Sequence, residues 1–423
     1  MSTIPRMVVA PIARVARNMP FVPSSLPTSP KHLLTPAVLA VTAALQRLDL
    51  SRDPRKTVAK AKAHKPTLAD LAQWSLMAAV WAYTLWIMPS VPLKLLIVTS
   101  WSIAVAIPLT SQFVWPATPV LTWVVMFFCA RYVPTSSRPG IHVALLPALE
   151  SVMYGANISD LQTRFTHPLL DILAWLPYGV LHFALPGVVA IFLWVFGPRG
   201  SAQFWGKAFG FMNLFGVITQ ILLPCSAPWY ELIHGLTPAN YGMPGSPGGL
   251  LRIDRFFHSS GYTNTFGNAP LVFGAFPSLH SGCAVMEALF LSHFFPFLKP
   301  LYWGYVGILW WATMYLSHHY LFDLSGGACL SVLVFYLFMP LEFRDIDGLK
   351  WSQGDGYEMV TTAPDAARDR DVDFDEEIRK LEDSGEADEE AAIEGNEAES
   401  SAGARNKRTV SWGETKVLGE DAH

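Results

Sequence analysis

Cysteine is scarce in this chain of 423 residues. There are four, Cys129, Cys225, Cys283 and Cys329, and no two stand in a CxxC pair. That excludes a disulfide framework and a cysteine zinc site, and leaves buried thiols as the reading. Charge is scarce as well. Only 15% of residues are charged while 51% are hydrophobic, with 15 Trp and 26 Phe, which is too apolar for an ordinary soluble protein of this length. There is no HExxH, no P-loop and no DxD pair in the apolar part, so the sequence implies no metal, no cofactor and no nucleic-acid partner. An n-h-c signal peptide and a repeat of solenoid period are both missing.

The charge that is present is unevenly placed. Residues 351–423 carry 21 acidic and 8 basic side chains, whereas residues 1–350 carry 13 and 22. The first 65 residues hold 11 Lys and Arg against Asp49 and Asp53. Arg6, Arg14 and Arg17 faintly resemble a presequence, but the positive-inside rule favours a basic cytosolic segment ahead of the first membrane helix. Three regions are therefore expected: a basic cytosolic segment at 1–65, a transmembrane catalytic domain at 66–345, and an acidic, disordered tail at 346–423.

Between the charged ends, apolar segments fall at about 71–88, 92–109, 117–133, 175–197, 204–224, 278–297, 300–317 and 321–340. The expected fold is an all-α polytopic transmembrane bundle of six to eight spans. Eight spans with both termini cytosolic put Arg199, Lys207 and Lys299 on the cytosolic side and the 134–174 and 225–276 loops in the lumen. Asn157 begins the one N-x-S/T sequon and becomes a lumenal glycosylation candidate. The 225–276 loop is rich in Gly, Pro and aromatics, with a short helix expected at 250–258, and is too long for a mere connector.

Two polar motifs flank one apolar hairpin, Phe276-Pro277-Ser278-Leu279-His280-Ser281-Gly282 and His318-His319-Tyr320-Leu321-Phe322-Asp323. If both arms are helices, His280 and His319 lie about 26 and 29 Å from the turn, at nearly one depth on one membrane face. His319 and Asp323 are spaced i, i+4 and share a helix face, so the carboxylate can fix the imidazole tautomer and leave the other nitrogen nucleophilic. Ser278 reads as an N-cap, and the helix start around Ser278 and Ser281 is a candidate site for a phosphate, with His280 beside it as acid and base. Two histidines and an aspartate at a membrane surface suggest phosphoryl transfer on a lipid, with a lumenal active site.

PSLHSG followed by HxxxD across one hairpin resembles the phosphatidic-acid-phosphatase type 2 superfamily. The wider stretches GGLLRIDRFF, FGAFPSLHSGCAVMEALF and TMYLSHHYLFDLSGG resemble the fungal inositol phosphorylceramide synthase catalytic subunits, the target of aureobasidin A, over roughly residues 70–345. The resemblance implies transfer of phosphoinositol from phosphatidylinositol to ceramide with release of diacylglycerol. It assigns His319 as nucleophile, Asp323 as its partner and His280 as acid and base, and it implies a multi-pass Golgi membrane location and a small accessory membrane subunit. Leu279 stands where the superfamily has Gly, and Thr313 where it has Arg. The first superfamily motif is missing from the 225–276 loop, so Arg252 and Arg255 are the first candidates for meeting phosphate charge. Arg131 and Arg138, followed by Pro139, match that motif's spacing and are the second. The alternatives are a lipid phosphate phosphatase with the same triad and a non-enzymatic membrane transporter or scaffold.

Overall fold

The computed structural model describes residue 38 and residues 40–344. Most of the basic segment and the whole acidic tail lie outside the described residues. The elements are helical throughout: α1 (Pro54–Ala63), α2 (Leu68–Ile87), α3 (Val91–Ala106), α4 (Pro108–Val114), α5 (Thr118–Cys129), α6 (Leu145–Tyr154), α7 (Ile158–Thr163), α8 (Pro168–Trp175), α9 (His182–Phe196), α10 (Ser201–Leu222), α11 (Pro228–His234), α12 (Leu250–Phe256), α13 (Gly261–Gly267), α14 (Leu279–Phe294), α15 (Lys299–Tyr315), α16 (Leu321–Phe338) and α17 (Leu341–Arg344). Among the described residues, β pairing is limited to two isolated parallel bridges, His142 to Cys225 and Cys225 to Gly274.

Local chemistry sets most of the helix starts. Thr67 and Asp70 form a capping box on α2, Ser90 caps α3, Asn157 caps α7, and Ser278 caps α14. Proline opens α1, α3, α4, α5, α8, α11 and α15, where its missing N–H has no helical partner to lose. α8 and α9 are joined through a π-helical stretch, Leu176–Leu181, into one element of 29 residues that starts earlier than the apolar run alone implies. α3 and α4 meet at a bend of 112° before Pro108.

α14 is the centre of the bundle, with twelve of its sixteen residues buried. One face, Met286 and Phe290, packs into a core with Phe204, Phe209, Met212 and Phe335. The opposite face, Ala284, Val285 and Ala288, packs with Leu309, Ala312 and Tyr315 of α15 and with Leu250 and Ile253 of α12. A helix buried on all sides is mostly apolar, and the polar residues Ser281, Glu287, Ser292 and His293 of α14 are buried along with its apolar ones. Small residues bring α14 against α16. A Cβ on Gly327 would collide with the Ser278 carbonyl oxygen, and Ser331 Oγ donates to the Gly282 carbonyl at 2.6 Å.

Leu95, Ile103, Ile191, Leu301 and Leu337 are exposed on the outer helix faces. So broad an apolar exterior is what a lipid environment covers. Among the described residues, the 168–196 element and α16 are each long and apolar enough to cross a bilayer, and the bent α3–α4 pair passes the same test as one broken unit. α2, α10, α14 and α15 run to 20, 22, 16 and 17 residues and are shorter or carry more polar side chains. The chain is an all-helical, multi-pass membrane protein.

The two segments expected to share one membrane side with the histidines are more ordered than plain loops. The 134–174 region folds into α6, α7 and all but the last residue of α8. The 225–276 region folds into α11, α12 and α13, with α12 close to the short helix expected there.

Candidate active site

The hairpin formed by α14 and α15, followed by α16, brings the two motifs together as their spacing implies. His280 Nδ1 lies 2.9 Å from His319 Nε2, and His319 Nδ1 lies 2.9 Å from Asp323 Oδ1. The three side chains form one hydrogen-bonded line. With Asp323 accepting at Nδ1, His319 carries its proton there and turns the Nε2 lone pair toward His280. The other Asp323 oxygen accepts from the Tyr320 amide at 3.1 Å, so the carboxylate is held at both oxygens.

Ser278 and Ser281 are fully buried. Ser278 Oγ accepts from the Ser281 amide, the Ser278 amide donates to the Asp323 carbonyl, and Ser281 Oγ donates to the Leu324 carbonyl at 2.6 Å. Both hydroxyls are spent on capping α14 and lashing it to α16, and they set where His280 meets His319.

The turn between α15 and α16 is tied from several directions. The Leu316 carbonyl accepts from the Gly249 amide and the Ser317 carbonyl from the Trp229 amide. Ser159 Oγ donates to the His319 carbonyl at 2.7 Å. Glu150 takes the Ile158 amide at 2.9 Å on one carboxylate oxygen and the Leu321 amide at 3.1 Å on the other. Ser317 has φ 63°, a left-handed conformation that a non-glycine residue adopts only when its surroundings hold it there. Gly248, with φ 51°, lets the 225–276 region reach this turn, since a Cβ there would sit 2.6 Å from the Leu316 carbonyl oxygen.

Electrostatics follows burial. His318 Nε2 lies 3.0 Å from the Pro247 carbonyl and so carries the proton of a neutral ring. Burial, and then the neighbouring His319, push its pKa down to about 3. Burial pushes Glu150 up to about 7, the Ile158 amide pulls the other way, and the Asp323 charge adds to the rise.

Tyr178 and His182 complete the wall around His280. The Tyr178 ring stacks on His280 at 4.6 Å and on His318 at 5.1 Å, and the His182 ring lies 4.4 Å from His280. Both belong to the 168–196 element, where the π-helical stretch places them on one side. Glu150, Ser159, Glu231, Tyr178 and His182 were not singled out in the sequence. For His182 a signal was present, an ionisable residue inside an apolar run. For the others the pattern held none.

The arginines separate. Arg252 Nε donates to Asp171 Oδ1 at 2.8 Å, while Nη2, also 2.8 Å from that oxygen, makes an ion-pair contact without a hydrogen bond, and the guanidinium lies over the Tyr315 ring at 5.3 Å. Arg255, on the same helix, is exposed. Asp254 is paired with neither arginine. It caps α13 by accepting from the Tyr262 and Thr263 amides and from the Ser259 and Thr263 hydroxyls. Arg131 and Arg138 line a cavity of about 240 Å³ together with Gln220, Tyr241 and Pro270, with none of the triad in its wall. Arg138 donates to the carbonyls of Ala130, Arg131 and Val133, and Arg131 to that of Asn268. Gln220 joins this cavity to the start of α14 by donating to the Pro277 carbonyl. Asn157 is spent within the fold: its amide nitrogen donates to Glu231 at 2.9 Å and its oxygen accepts from the Asp160 amide. Among the described residues, no group of three or more His, Cys, Asp and Glu is arranged to hold a metal ion.

A base line of this kind, ending in a buried carboxylate, can attack phosphorus and exchange a proton with the group that leaves or enters. Comparison with known proteins agrees with that chemistry. Residues 144–337 match the model of the PAP2 superfamily. The chain is 48% identical to the inositol phosphorylceramide synthase catalytic subunit of Schizosaccharomyces pombe over 61% of each chain. It is 44% identical to the catalytic subunit of the same name from Saccharomyces cerevisiae, over 77% of this chain and 83% of that one. It is 43% identical to the inositol phosphorylceramide synthase of Candida albicans, over 72% of this chain and 66% of that one. The match to the Schizosaccharomyces pombe protein thus spans less than two thirds of its length. No solved structure matches the chain. With identities of this order reaching over most of the Saccharomyces cerevisiae protein, and with the triad inside the region that matches the PAP2 superfamily model, the chain belongs to the inositol phosphorylceramide synthase catalytic subunits.

Proposed function

We infer that the chain is a phosphotransferase that moves phosphoinositol from phosphatidylinositol to ceramide, releasing diacylglycerol, as a step of sphingolipid synthesis. The observation that carries the reading is the unbroken line from His280 through His319 to Asp323. His319 Nε2 attacks phosphorus, and the bond to the diacylglycerol oxygen breaks. As phosphorus takes the place of His280 at Nε2, His280, protonated when substrate enters, turns its Nδ1–H from His319 to the departing oxygen and gives up that proton. In the second half, neutral His280 takes the proton of the ceramide primary hydroxyl, whose oxygen attacks the phosphohistidine and frees His319. Asp323 holds the Nδ1–H tautomer throughout and faces the positive charge that develops on the ring.

The remaining assignments follow from this reading. The active site faces the lumen of the Golgi, both termini are cytosolic, and the bundle crosses the membrane six to eight times. The 66–345 region is the catalytic domain, flanked by the basic segment and the acidic tail. A small accessory membrane subunit accompanies it. Arg255, and Arg252 once released from Asp171, are the first candidates to meet the phosphate. The cavity holding Arg131 and Arg138 is the second. The deciding experiment supplies purified protein with labelled phosphatidylinositol, with and without ceramide. Label in inositol phosphorylceramide only when ceramide is present supports the transferase. Ceramide-independent release of inositol phosphate to water makes the chain a phosphohydrolase instead.

A further inference from the structure

The N-terminus of α16 carries Asp323, yet its first amide is not satisfied from within the helix. The N-cap residue is Tyr320, and the Leu321 amide points out of the helix. Its partner is Glu150 Oε2 at 3.1 Å, supplied by α6 from 171 residues earlier. The other Glu150 oxygen takes the amide of Ile158, the first residue of α7. One fully buried carboxylate therefore joins the starts of two helices. α7 in turn holds the nucleophile's own backbone, through Ser159 Oγ to the His319 carbonyl. Asn157, the cap of α7, reaches Glu231, whose same oxygen receives the Tyr320 hydroxyl at 3.0 Å. His319, Tyr320 and Leu321 are thus each gripped by the 150–159 segment, directly or through Glu231.

We propose that Glu150 is a positioning residue for phosphoryl transfer, acting as the borrowed cap of α16 that fixes the Tyr320–Leu321 backbone and so aligns His319 between Asp323 and His280. An acceptor at this end of α16 suits the outward-pointing amides, and burial raises the worth of each bond it makes. Removing Glu150 leaves two amides without partners inside the protein. The helix start then relaxes toward other acceptors, and the i, i+4 pairing of His319 with Asp323 loses its register.

The inference rests on the reading of His319 as the nucleophile, and the test keeps the two apart. Leu321 stands at the first position of α16, and Tyr320 before it is extended, with φ −89° and ψ 157°. Both positions suit proline at 321, which removes the amide that Glu150 holds while keeping the helix start. A double-mutant cycle of Glu150→Ala and Leu321→Pro in the full-length chain, assayed with phosphatidylinositol and ceramide, isolates that one bond. Glu150→Ala alone is expected to lower kcat by about 30-fold or more while KM for phosphatidylinositol stays within about twofold. In the Leu321→Pro background, Glu150→Ala is expected to cost only a few-fold, and Glu150→Gln is expected to be milder than Glu150→Ala in the parent. Equal losses in both backgrounds, or a loss confined to KM or to the yield of folded protein, overturn the proposal. If Glu150→Ala fails to fold, Glu150→Gln carries the same cycle. Activity retained in His319→Ala overturns the nucleophile reading instead, whatever the cycle gives.

Discussion

The two helices that carry the triad begin in opposite ways. α14 starts with its own cap, Ser278, three residues before the amide it accepts. α16 starts with a tyrosine whose own amide Asp323 holds, but its first helical amide, that of Leu321, is taken by Glu150, on another helix. The first start is assembled from neighbours in sequence and is complete once the local turn forms. The second is complete only when the 134–174 region has docked. The same contrast runs through the site. The His319–Asp323 pair is local, whereas the contacts that hold its turn come from residues 150–159, 229 and 247–249. Local motifs supply the reacting groups, and distant segments supply their alignment.

The largest break in this comparison comes from the reacting groups themselves. His319→Ala is expected to abolish phosphoinositol transfer, by at least about 10³-fold in kcat, and to eliminate the phosphoenzyme trapped from labelled phosphatidylinositol. Asp323→Asn is expected to leave a measurable residue, because the nucleophile remains while its tautomer is no longer enforced. Wild-type turnover in either variant would remove the triad from the mechanism.

A comparable loss is expected from the joint between the two helices. Gly327→Val drives side-chain atoms into the Ser278 carbonyl and the Gly282 amide, both backbone groups that cannot swing aside. The helices must separate and carry His280 away from His319. Activity should fall by more than about 10²-fold, with a lower melting temperature for the variant in detergent, as for an overpacked core that shifts backbone. A Gly327→Val enzyme with normal turnover would show that the close crossing is dispensable.

The locally built cap is expected to be forgiving by comparison. Ser278→Ala removes one side-chain cap and should cost about 1 kcal/mol of stability, with activity within about tenfold of the parent. Chemical or thermal unfolding of the two proteins side by side measures this. A loss as deep as that of His319→Ala would mean that Ser278 contacts the transferring phosphate.

His318 sharpens the contrast through pH. Its ring stays neutral in the folded chain down to about 3, whereas the unfolded chain takes up a proton near the ordinary value of 6.5. Its contribution to stability is therefore fully present above about 6.5 and is lost as pH falls toward 3. His318→Gln should flatten the acid side of a stability–pH curve while leaving the midpoint of the acid limb of kcat in place. A shift of that kinetic midpoint would place His318 among the groups that exchange protons with substrate.

Arg252 gives the smallest expected effect. Its guanidinium makes two contacts to Asp171 and lies over Tyr315. Arg252→Lys retains the charge and loses the Nε–H bond to Asp171 and the planar contact with Tyr315. Part of the side chain is solvent-exposed, so the cost should be on the order of 1 kcal/mol or less in stability. A rise in KM for phosphatidylinositol that exceeds the change in stability would show that Arg252 leaves Asp171 to hold the substrate.

What the sequence determined by itself is whatever depends on composition, period and short spacing. The apolar segments set an all-helical membrane bundle, because a backbone in lipid has to satisfy its own hydrogen bonds. Ser278 announced the start of α14, the i, i+4 spacing announced the His319–Asp323 pair, and the equal arms of the hairpin brought His280 to the same level. The tertiary structure decided what depends on distant partners. It gave Arg252 to Asp171 and Asp254 to the cap of α13, and it bent α3 into α4. It turned Tyr178 and His182 toward His280 through a π-helical stretch, and it recruited Glu150 and Ser159 to the turn that holds His319. Each of these is a polar group or ring that must find a partner once buried. Its partner is chosen by which segments pack together, and that choice has no period and no fixed spacing along the chain.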